Sequence, residues 1–262
     1  MNNSHLAVST KSKKHKLSPC LIVAACIFLA SLLFFGLWTM LFQKSIVGTW
    51  EVTFTDTSSD EKTITYDLKF KFEPMTNTEE SGTGNVTVNL GNISYFGTYR
   101  FTEDSDGEPQ IWIYSVLDGT TFINSHLIYS VEGNALTGRT LKLTDVEGGF
   151  VPAGIDTNFE MKPSAIEYKI QKIDNAKLDQ AIIGSWNGGT DTIYTYTFNE
   201  DQTFSVASKY RYITGSYSAA DGNLTLCYYT STGDVQEETL TYTVNDTGTV
   251  SFNGLEFTKK KN

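Results

Sequence analysis

Few side chains in this sequence have the types and neighbours that acid–base or nucleophilic catalysis needs. His126 is the only histidine after residue 44, and it stands in a strand-like run. A Ser-His-Asp or Cys-His arrangement needs such a histidine as its base, but a lone histidine in a strand is more often an ordinary strand residue. Cys227 lies between Leu226 and Tyr228 and is expected to be a small buried residue. We therefore predict no catalytic residue and no enzyme activity.

The densest group of carboxylates, segment 103–108 (Glu-Asp-Ser-Asp-Gly-Glu), does not fit a calcium loop. An EF-hand needs a glutamate at its twelfth position, and with Gly107 as the sixth residue the twelfth is Ile113. Zinc needs three or four His, Cys or carboxylate ligands, and the sequence has no such cluster. We expect no metal and no cofactor, and we interpret 103–108 as an acidic hairpin turn.

Aromatic side chains are the residues most able to bind something, because Phe, Trp and Tyr make up 13% of the chain. Many of them alternate with polar residues, so we expect them to fill a barrel interior or a sandwich core. If a small hydrophobic ligand is bound, we predict that the first half of the protein binds it. The predicted wall residues, for which core packing is the alternative interpretation, are Trp50, Tyr99, Trp112 and Tyr114.

Five short segments recur in the same order along the chain, which indicates an internal repeat. The clearest pair is 46–51 (Ile-Val-Gly-Thr-Trp-Glu) and 182–187 (Ile-Ile-Gly-Ser-Trp-Asn). The other four matches pair 66–70 with 194–198, 97–99 with 215–217, 127–131 with 240–244, and 166–169 with 255–258. We therefore predict two tandem domains, 45–174 and 178–262. Residues 175–181 between them are predicted to form a short helical joint capped by Asp174.

Period-two alternation in the second repeat predicts about eight short strands, separated by turns rich in Asn, Asp and Gly. Short connections make sequential strands antiparallel neighbours, and a meander can remove its edges by closing. The predicted fold is all-β: two antiparallel up-and-down meander barrels after one N-terminal transmembrane helix. A two-sheet sandwich is the alternative.

Both repeats begin with Gly-x-Trp, at Gly48-Thr49-Trp50 and Gly184-Ser185-Trp186. This start, together with the hairpin 196–204 (Tyr-x-Phe-Asn-x-Asp-x-Thr-Phe) and the ending 257–260 (Phe-Thr-Lys-Lys), resembles small bacterial lipocalin-like (calycin-type) domains of surface proteins. The resemblance implies a structural role for Gly48, Trp50, Gly184 and Trp186, with each tryptophan plugging the closed end of a barrel. In lipocalins an arginine often packs on this tryptophan, and Lys259 is the nearest basic residue here.

The N-terminal residues predict a membrane anchor. A basic tail, 1–16, is followed by an uncharged stretch, 17–43, and the apolar run 20–42 is long enough to cross about 30 Å of hydrocarbon at about 1.5 Å per residue. It is too long for a cleaved signal peptide. A lipoprotein signal ending at Cys26 is the other alternative, but the apolar run continues beyond it. Because lysines precede the span and only Lys44 follows closely, we expect a cytoplasmic N-terminus.

Beyond Lys44 the chain carries 30 acidic and 15 basic residues, a net charge of about −15. Such a surface argues against nucleic acid as a partner. Cys227 is the only cysteine there, so no disulfide can form within the ectodomain. These features are compatible with a bacterial cell surface.

The function that these features favour is a membrane-anchored, extracytoplasmic binding or interaction module of the cell envelope without enzyme activity. Its expected partners are the lipid bilayer, through residues 17–43, and an envelope protein or a small hydrophobic ligand. A carrier or sensor of a small hydrophobic ligand in the first domain is the alternative. A third hypothesis is an envelope hydrolase, because paired carboxylates need not be close in sequence.

Overall fold

The computed structural model describes residues 28, 31–33, 45–56, 64–75, 83–117, 120–134, 137–145, 158–230, 233–245 and 248–260. This part of the chain is almost entirely antiparallel β-structure, with sixteen strands and one short 3₁₀ turn.

We call β1–β8 the N-terminal half and β9–β16 the C-terminal half. The strands of the N-terminal half are β1 (Gly48–Asp56), β2 (Ile64–Phe72), β3 (Thr83–Leu90), β4 (Ile93–Glu103), β5 (Pro109–Leu117), β6 (Thr120–Asn134), β7 (Gly138–Asp145) and β8 (Asn158–Pro163). Those of the C-terminal half are β9 (Gly184–Gly188), β10 (Tyr194–Phe198), β11 (Thr203–Ala207), β12 (Arg211–Ala220), β13 (Asn223–Tyr229), β14 (Val235–Val244), β15 (Thr249–Phe252) and β16 (Leu255–Lys259).

Little of the predicted membrane segment lies within the described residues. Phe28 and Ser31–Leu33 are helical, and the Ser31 hydroxyl donates a hydrogen bond to the carbonyl of Phe28 at 2.8 Å. The rest of the predicted span, 17–43, and the predicted cytoplasmic tail, 1–16, lie outside them. Within the described residues, no helix combines the length and the apolar character needed to cross a bilayer.

The C-terminal half is a closed antiparallel barrel of eight strands. Each strand pairs with the next, and β16 pairs with β9, which completes the ring. The prediction of an up-and-down barrel is therefore confirmed here over the sandwich alternative. Two of its hairpins are two-residue turns, Asp221-Gly222 and Asn253-Gly254, in which all four residues have positive φ. This is the type I′ geometry that Asn-Gly and Asp-Gly favour.

The N-terminal half has the same order of pairing. Strand β1 pairs with β2 and with β8, and β4 pairs with β3 and with β5. The sequence of hydrogen-bonded neighbours β4-β3-β2-β1-β8-β7-β6-β5 thus returns to β4.

Each half has a hydrophobic core of its own. The core of the N-terminal half is formed by side chains from Ile46 to Met161, and that of the C-terminal half by side chains from Ile182 to Phe257. Rings occupy much of both cores. The fully buried aromatic side chains are Trp50, Phe70, Phe72, Tyr99, Trp186, Phe198, Phe204 and Tyr217.

The fifth repeat match was wrong. We paired 166–169 with 255–258, but 166–169 is not in a strand, whereas 255–258 lies in β16. The counterpart of β16 is β8, because Pro163 of β8 lies opposite Trp50 and Lys259 of β16 lies opposite Trp186. The sequence Phe-Glu-Met-Lys at 159–162 is therefore the equivalent of Leu-Glu-Phe-Thr at 255–258.

The predicted helical joint is shorter than expected. The only helical residues between the halves are Gln180–Ile182, a 3₁₀ turn capped by the side chain of Asp179, which accepts from the backbone N–H of Ala181. Asp174 does not cap a helix because Asn175, with φ 54°, is in the left-handed conformation and forms a turn instead. Residues 164–179 otherwise form neither a helix nor a strand.

Candidate functional site

The two halves are joined by strand pairing. Three residues at the start of β12 pair antiparallel with three at the start of β4: Arg211 with Tyr95, Tyr212 with Ser94, and Ile213 with Ile93. On either side of these pairs, the N–H of Phe96 donates to the carbonyl of Tyr210 at 2.7 Å, and the N–H of Thr214 donates to the carbonyl of Asn92 at 3.2 Å.

These contacts have approximate two-fold symmetry. Because 97–99 matches 215–217 in the repeat, Phe96 is equivalent to Thr214 and Asn92 is equivalent to Tyr210. The two flanking hydrogen bonds are therefore equivalent: each half donates from the same repeat position to the same repeat position of the other half. Equivalent surfaces that bind each other in this way form an isologous contact, as in a symmetric dimer.

A shallow groove of about 320 Å³ lies beside this pairing, on the outer surface. Its wall on the N-terminal half comes from strands β3, β4 and β5, and its wall on the C-terminal half comes from the β11–β12 loop. Phe96 is 37% exposed within it, and the ammonium of Lys209 lies 4.5 Å from the ring centre of Tyr210. We call it the junction groove; its lining residues are Asn85, Phe96, Gly97, Thr98, Tyr114, Ser115, Lys209 and Tyr210.

The groove continues into a row of side chains across β4, β5 and β6, which we call the ring ladder. Arg100, Trp112 and His126 lie opposite one another on the three strands. The guanidinium carbon of Arg100 is 4.1 Å from the centre of the Trp112 ring, and the His126 ring stacks on the indole at 5.8 Å. The indole N–H donates to the side-chain oxygen of Asn124 at 2.6 Å. Tyr114, in the neighbouring row, lies 5.7 Å from Trp112 and connects the ladder with the groove.

The four predicted wall residues do not line one pocket. Trp50 and Tyr99 are each only 1% exposed and belong to the core of the N-terminal half. Trp112 and Tyr114 are half-buried on the outer surface, because Ile111, Ile113 and Ser115 are the inward-facing residues of β5.

Among the described residues, the interiors of both halves contain rings packed at contact distance. In the N-terminal half, Phe72 lies 5.7 Å from Phe70 and 5.2 Å from Tyr99. In the C-terminal half, the rings of Phe198 and Tyr217 are 5.0 Å apart. These are ordinary spacings of packed aromatic pairs. Such packing counts against a lumenal site for a small hydrophobic ligand.

The Gly-x-Trp residues have the same geometry in both halves. Trp50 and Trp186 are buried, and each indole N–H donates to a backbone carbonyl four residues earlier, at 2.6 Å in both cases. The glycines two residues before them, Gly48 and Gly184, have φ of 133° and 119°. These values lie in a region that is essentially restricted to glycine.

A cation packs on each of these tryptophans. The ammonium of Lys259 is 5.2 Å from the Trp186 ring, as the resemblance to lipocalins suggested. In the N-terminal half the position of Lys259 is taken by Pro163, and the cation comes instead from Arg139 on β7, 4.9 Å from the Trp50 ring. Sequence comparison of the repeats missed Arg139 because it stands on a different strand.

A second, smaller recess of about 120 Å³ lies on another side of the junction. It is polar, with charges of both signs, and includes the buried amides of Asn89 and Asn92. The Asn92 side chain donates to the carbonyl of Lys169 at 2.6 Å and to that of Thr214 at 2.9 Å. This recess therefore contains the contacts that tie both halves to the connection 164–179.

Groups for covalent or metal chemistry are not gathered into a site among the described residues. Cys227 is 1% exposed, and burial raises the pKa of its thiol, so less of the reactive thiolate is present. His126 is part of the ring ladder, stacked on Trp112, as described above. No group of three or more His, Cys, Asp or Glu side chains in the described residues is placed to hold a metal ion.

Comparisons with protein-family models, with curated proteins and with solved structures found no match. Of the residues that form the junction groove and the ring ladder, sequence reasoning singled out Trp112 and Tyr114, and missed Phe96, Arg100 and Lys209. The available signal was the pattern Phe-x-Thr-x-Arg at 96–100, which places an apolar and a cationic side chain on one face of a strand.

Proposed function

We propose that this protein is a membrane-anchored binding module of the cell envelope, without enzyme activity, that recognises its partner through the junction groove and the ring ladder. In this proposal residues 17–43 cross the membrane, the N-terminus is cytoplasmic, and both β halves lie outside the cell.

We further propose that residues 45–174 and 178–262 are two lipocalin-like domains that arose by duplication. The equal pairing order of the halves, the two Gly-x-Trp sites and the two buried tyrosine hydroxyls support this. Tyr99 donates to the carbonyl of Glu73 at 2.6 Å, and its equivalent Tyr217 donates to that of Asn199 at 2.9 Å.

The observation that carries the binding proposal is the location of the aromatic side chains that are not needed in the cores. Aromatic residues and arginine are enriched where proteins bind partners. Here Trp112, Tyr114, Tyr210 and Arg100 lie together on an outer surface, while the interiors are packed.

Two experiments test this function. First, a C-terminal epitope on the full chain should be removed by trypsin added to intact cells, and retention of the epitope would contradict the proposed orientation. Second, the full chain in lipid nanodiscs should sediment with isolated cell-envelope material. The Tyr114→Ala variant should sediment several-fold less, whereas Tyr129→Phe, outside the groove, should behave as the wild type.

A further inference from the structure

We infer that the junction groove binds an oligosaccharide that carries carboxylate groups. This inference rests on the proposed function, because it takes the groove to be the binding site and names the chemistry of its ligand.

The side chains of the groove and ladder differ in charge from the rest of the chain. The chain has 30 acidic residues, yet within the described residues none that lines the groove or forms the ladder is acidic. Glu73, which lies opposite Asn85 in register, is ion-paired with Lys71 at 3.0 Å. A surface lined by cations and uncharged side chains attracts anions locally, since at physiological salt charges farther than about 8 Å away are largely screened.

Two cations border this surface without carboxylate partners. Within the described residues, neither Arg100 nor Lys209 forms an ion pair, whereas Lys69, Lys71 and Lys142 all do. Arg100 is held in place by its contact with Trp112 at 4.1 Å. A guanidinium that is positioned but unpaired is well suited to bind a carboxylate.

The aromatic side chains favour sugar rings as the carrier of that carboxylate. A pyranose ring presents flat C–H faces with hydroxyl groups at its rim, so it packs on an aromatic ring while its hydroxyls bond to nearby polar groups. Tyr114, Tyr210 and Phe96 offer such rings, and Asn85 and Thr98 offer amide and hydroxyl groups beside them. The groove, at about 320 Å³, has the volume of a small-molecule site.

An extended peptide is the weaker candidate, because peptides commonly bind by adding a strand to an open sheet edge. The strands that line the groove have no open edge to offer along most of their length. Strand β4 is paired with β3, β5 and β12, and β3 and β5 are each paired on both sides. Recognition at this surface therefore depends on side chains.

The test uses the full chain in lipid nanodiscs and isothermal titration with tetragalacturonate, which carries a carboxylate on every ring. The fully methyl-esterified tetragalacturonate, which has the same sugars and linkages but no free carboxylates, is the matched ligand. We expect tetragalacturonate to bind at least about tenfold more tightly than its methyl ester. Arg100→Gln and Lys209→Gln should each weaken binding about tenfold, the loss expected for one charge-assisted hydrogen bond. Lys142→Gln, which removes a paired lysine on β7, should leave binding unchanged.

Equal binding of the two tetrasaccharides, or unchanged binding in both cation variants, would overturn the inference. So would absence of tetragalacturonate binding at millimolar concentration. If sedimentation with envelope material is then still lost in Tyr114→Ala, the groove remains the binding site and only the ligand class is wrong. If Tyr114→Ala sediments normally, the proposed function is wrong as well.

Discussion

At the scale of single residues, the two halves use the same contacts around the Gly-x-Trp start that they share. Each tryptophan is buried, donates to a carbonyl four residues earlier and carries a cation on its ring. The glycine two residues before each tryptophan has a φ that other residues adopt only with strain. The backbone turn that inserts the tryptophan into the core therefore depends on glycine.

Gly48→Ala tests this dependence without a steric clash, since a Cβ at this position would have no heavy atom within 4 Å. We expect the free energy of unfolding to fall by about 1–3 kcal/mol, from backbone strain alone. Urea unfolding of the full chain in detergent measures the change, with Thr49→Ala as the neighbouring control. Equal stability of Gly48→Ala and the wild type would show that the glycine is not required.

Tyr217 makes the free energy of unfolding depend on pH in the alkaline range. Burial, and then the carboxylates of Asp201 and Asp179, raise the pKa of Tyr217 from 10.0 to about 12. The folded protein thus retains a proton that the unfolded chain loses near pH 10. The contribution of this residue is complete below pH 10 and is lost as the pH rises towards 12.

We therefore expect the free energy of unfolding to fall between pH 10 and 12, and to fall less steeply in Tyr217→Phe. Burial also raises the pKa of Tyr242, so part of the slope remains in the variant. Urea unfolding at a series of pH values from 9 to 12 measures both slopes. Parallel curves for the wild type and Tyr217→Phe would contradict the assignment.

At the scale of elements, the β3–β4 turn connects the two halves. Gly91 and Asn92 form this turn, and Asn92 is 1% exposed. Its backbone N–H donates to the carbonyl of Tyr229 at 3.0 Å, and its side chain donates to Lys169 and Thr214. The turn thus bonds both to the connection 164–179 and to strands of the C-terminal half.

Asn92→Ala should destabilise the protein and uncouple its halves. The buried carbonyl of Thr214 loses its donor, at a cost of about 1–3 kcal/mol, and the part-buried carbonyl of Lys169 loses its donor as well. Differential scanning calorimetry should show one broadened or divided transition in place of a single sharp one. Asn223→Ala, which removes an exposed turn asparagine bonded to the carbonyl of Asp221, is the matched control and should have little effect. A sharp transition at the wild-type temperature in Asn92→Ala would contradict this role.

The strands of the C-terminal half could be predicted because its alternation and its Asn-Gly and Asp-Gly turns agree at nearly every step. The last strand of the N-terminal half could not be predicted in this way. Strand β8 is short, and it follows residues 146–157, which lie outside the described residues. Because the similarity of β8 to β16 is weak, the repeat comparison matched 166–169 with β16 instead. The β4–β12 pairing joins residues far apart in sequence, and no local pattern indicates it.

The sequence also did not predict which side chains of β5 face inward and which face outward. The run Ile111-Trp112-Ile113-Tyr114 is apolar at every position, so period-two alternation does not identify the inner face. We predicted Trp112 and Tyr114 as wall residues of a ligand site or as core rings, but their side chains face the outer surface. Their outward direction makes them part of a surface with Arg100.

At the scale of the whole molecule, the two halves have packed interiors, and the aromatic surface lies outside, beside their junction. The net charge of −10 favours solubility of the protein. The groove differs from this overall negative charge because uncharged and cationic side chains line it. A carrier would instead keep its rings around an open lumen. The two functions therefore predict opposite patterns of side-chain accessibility.

Hydroxyl-radical footprinting of the full chain, with and without cell-envelope fragments, measures this pattern directly. We predict that Trp112, Tyr114 and Tyr210 are oxidised in the free protein and protected several-fold by the fragments, while Trp50 and Tyr99 stay unreactive in both states. Oxidation of Trp50 and Tyr99 in the free protein that disappears with the fragments, with no change at Tyr114, would place binding in the lumen and contradict the account.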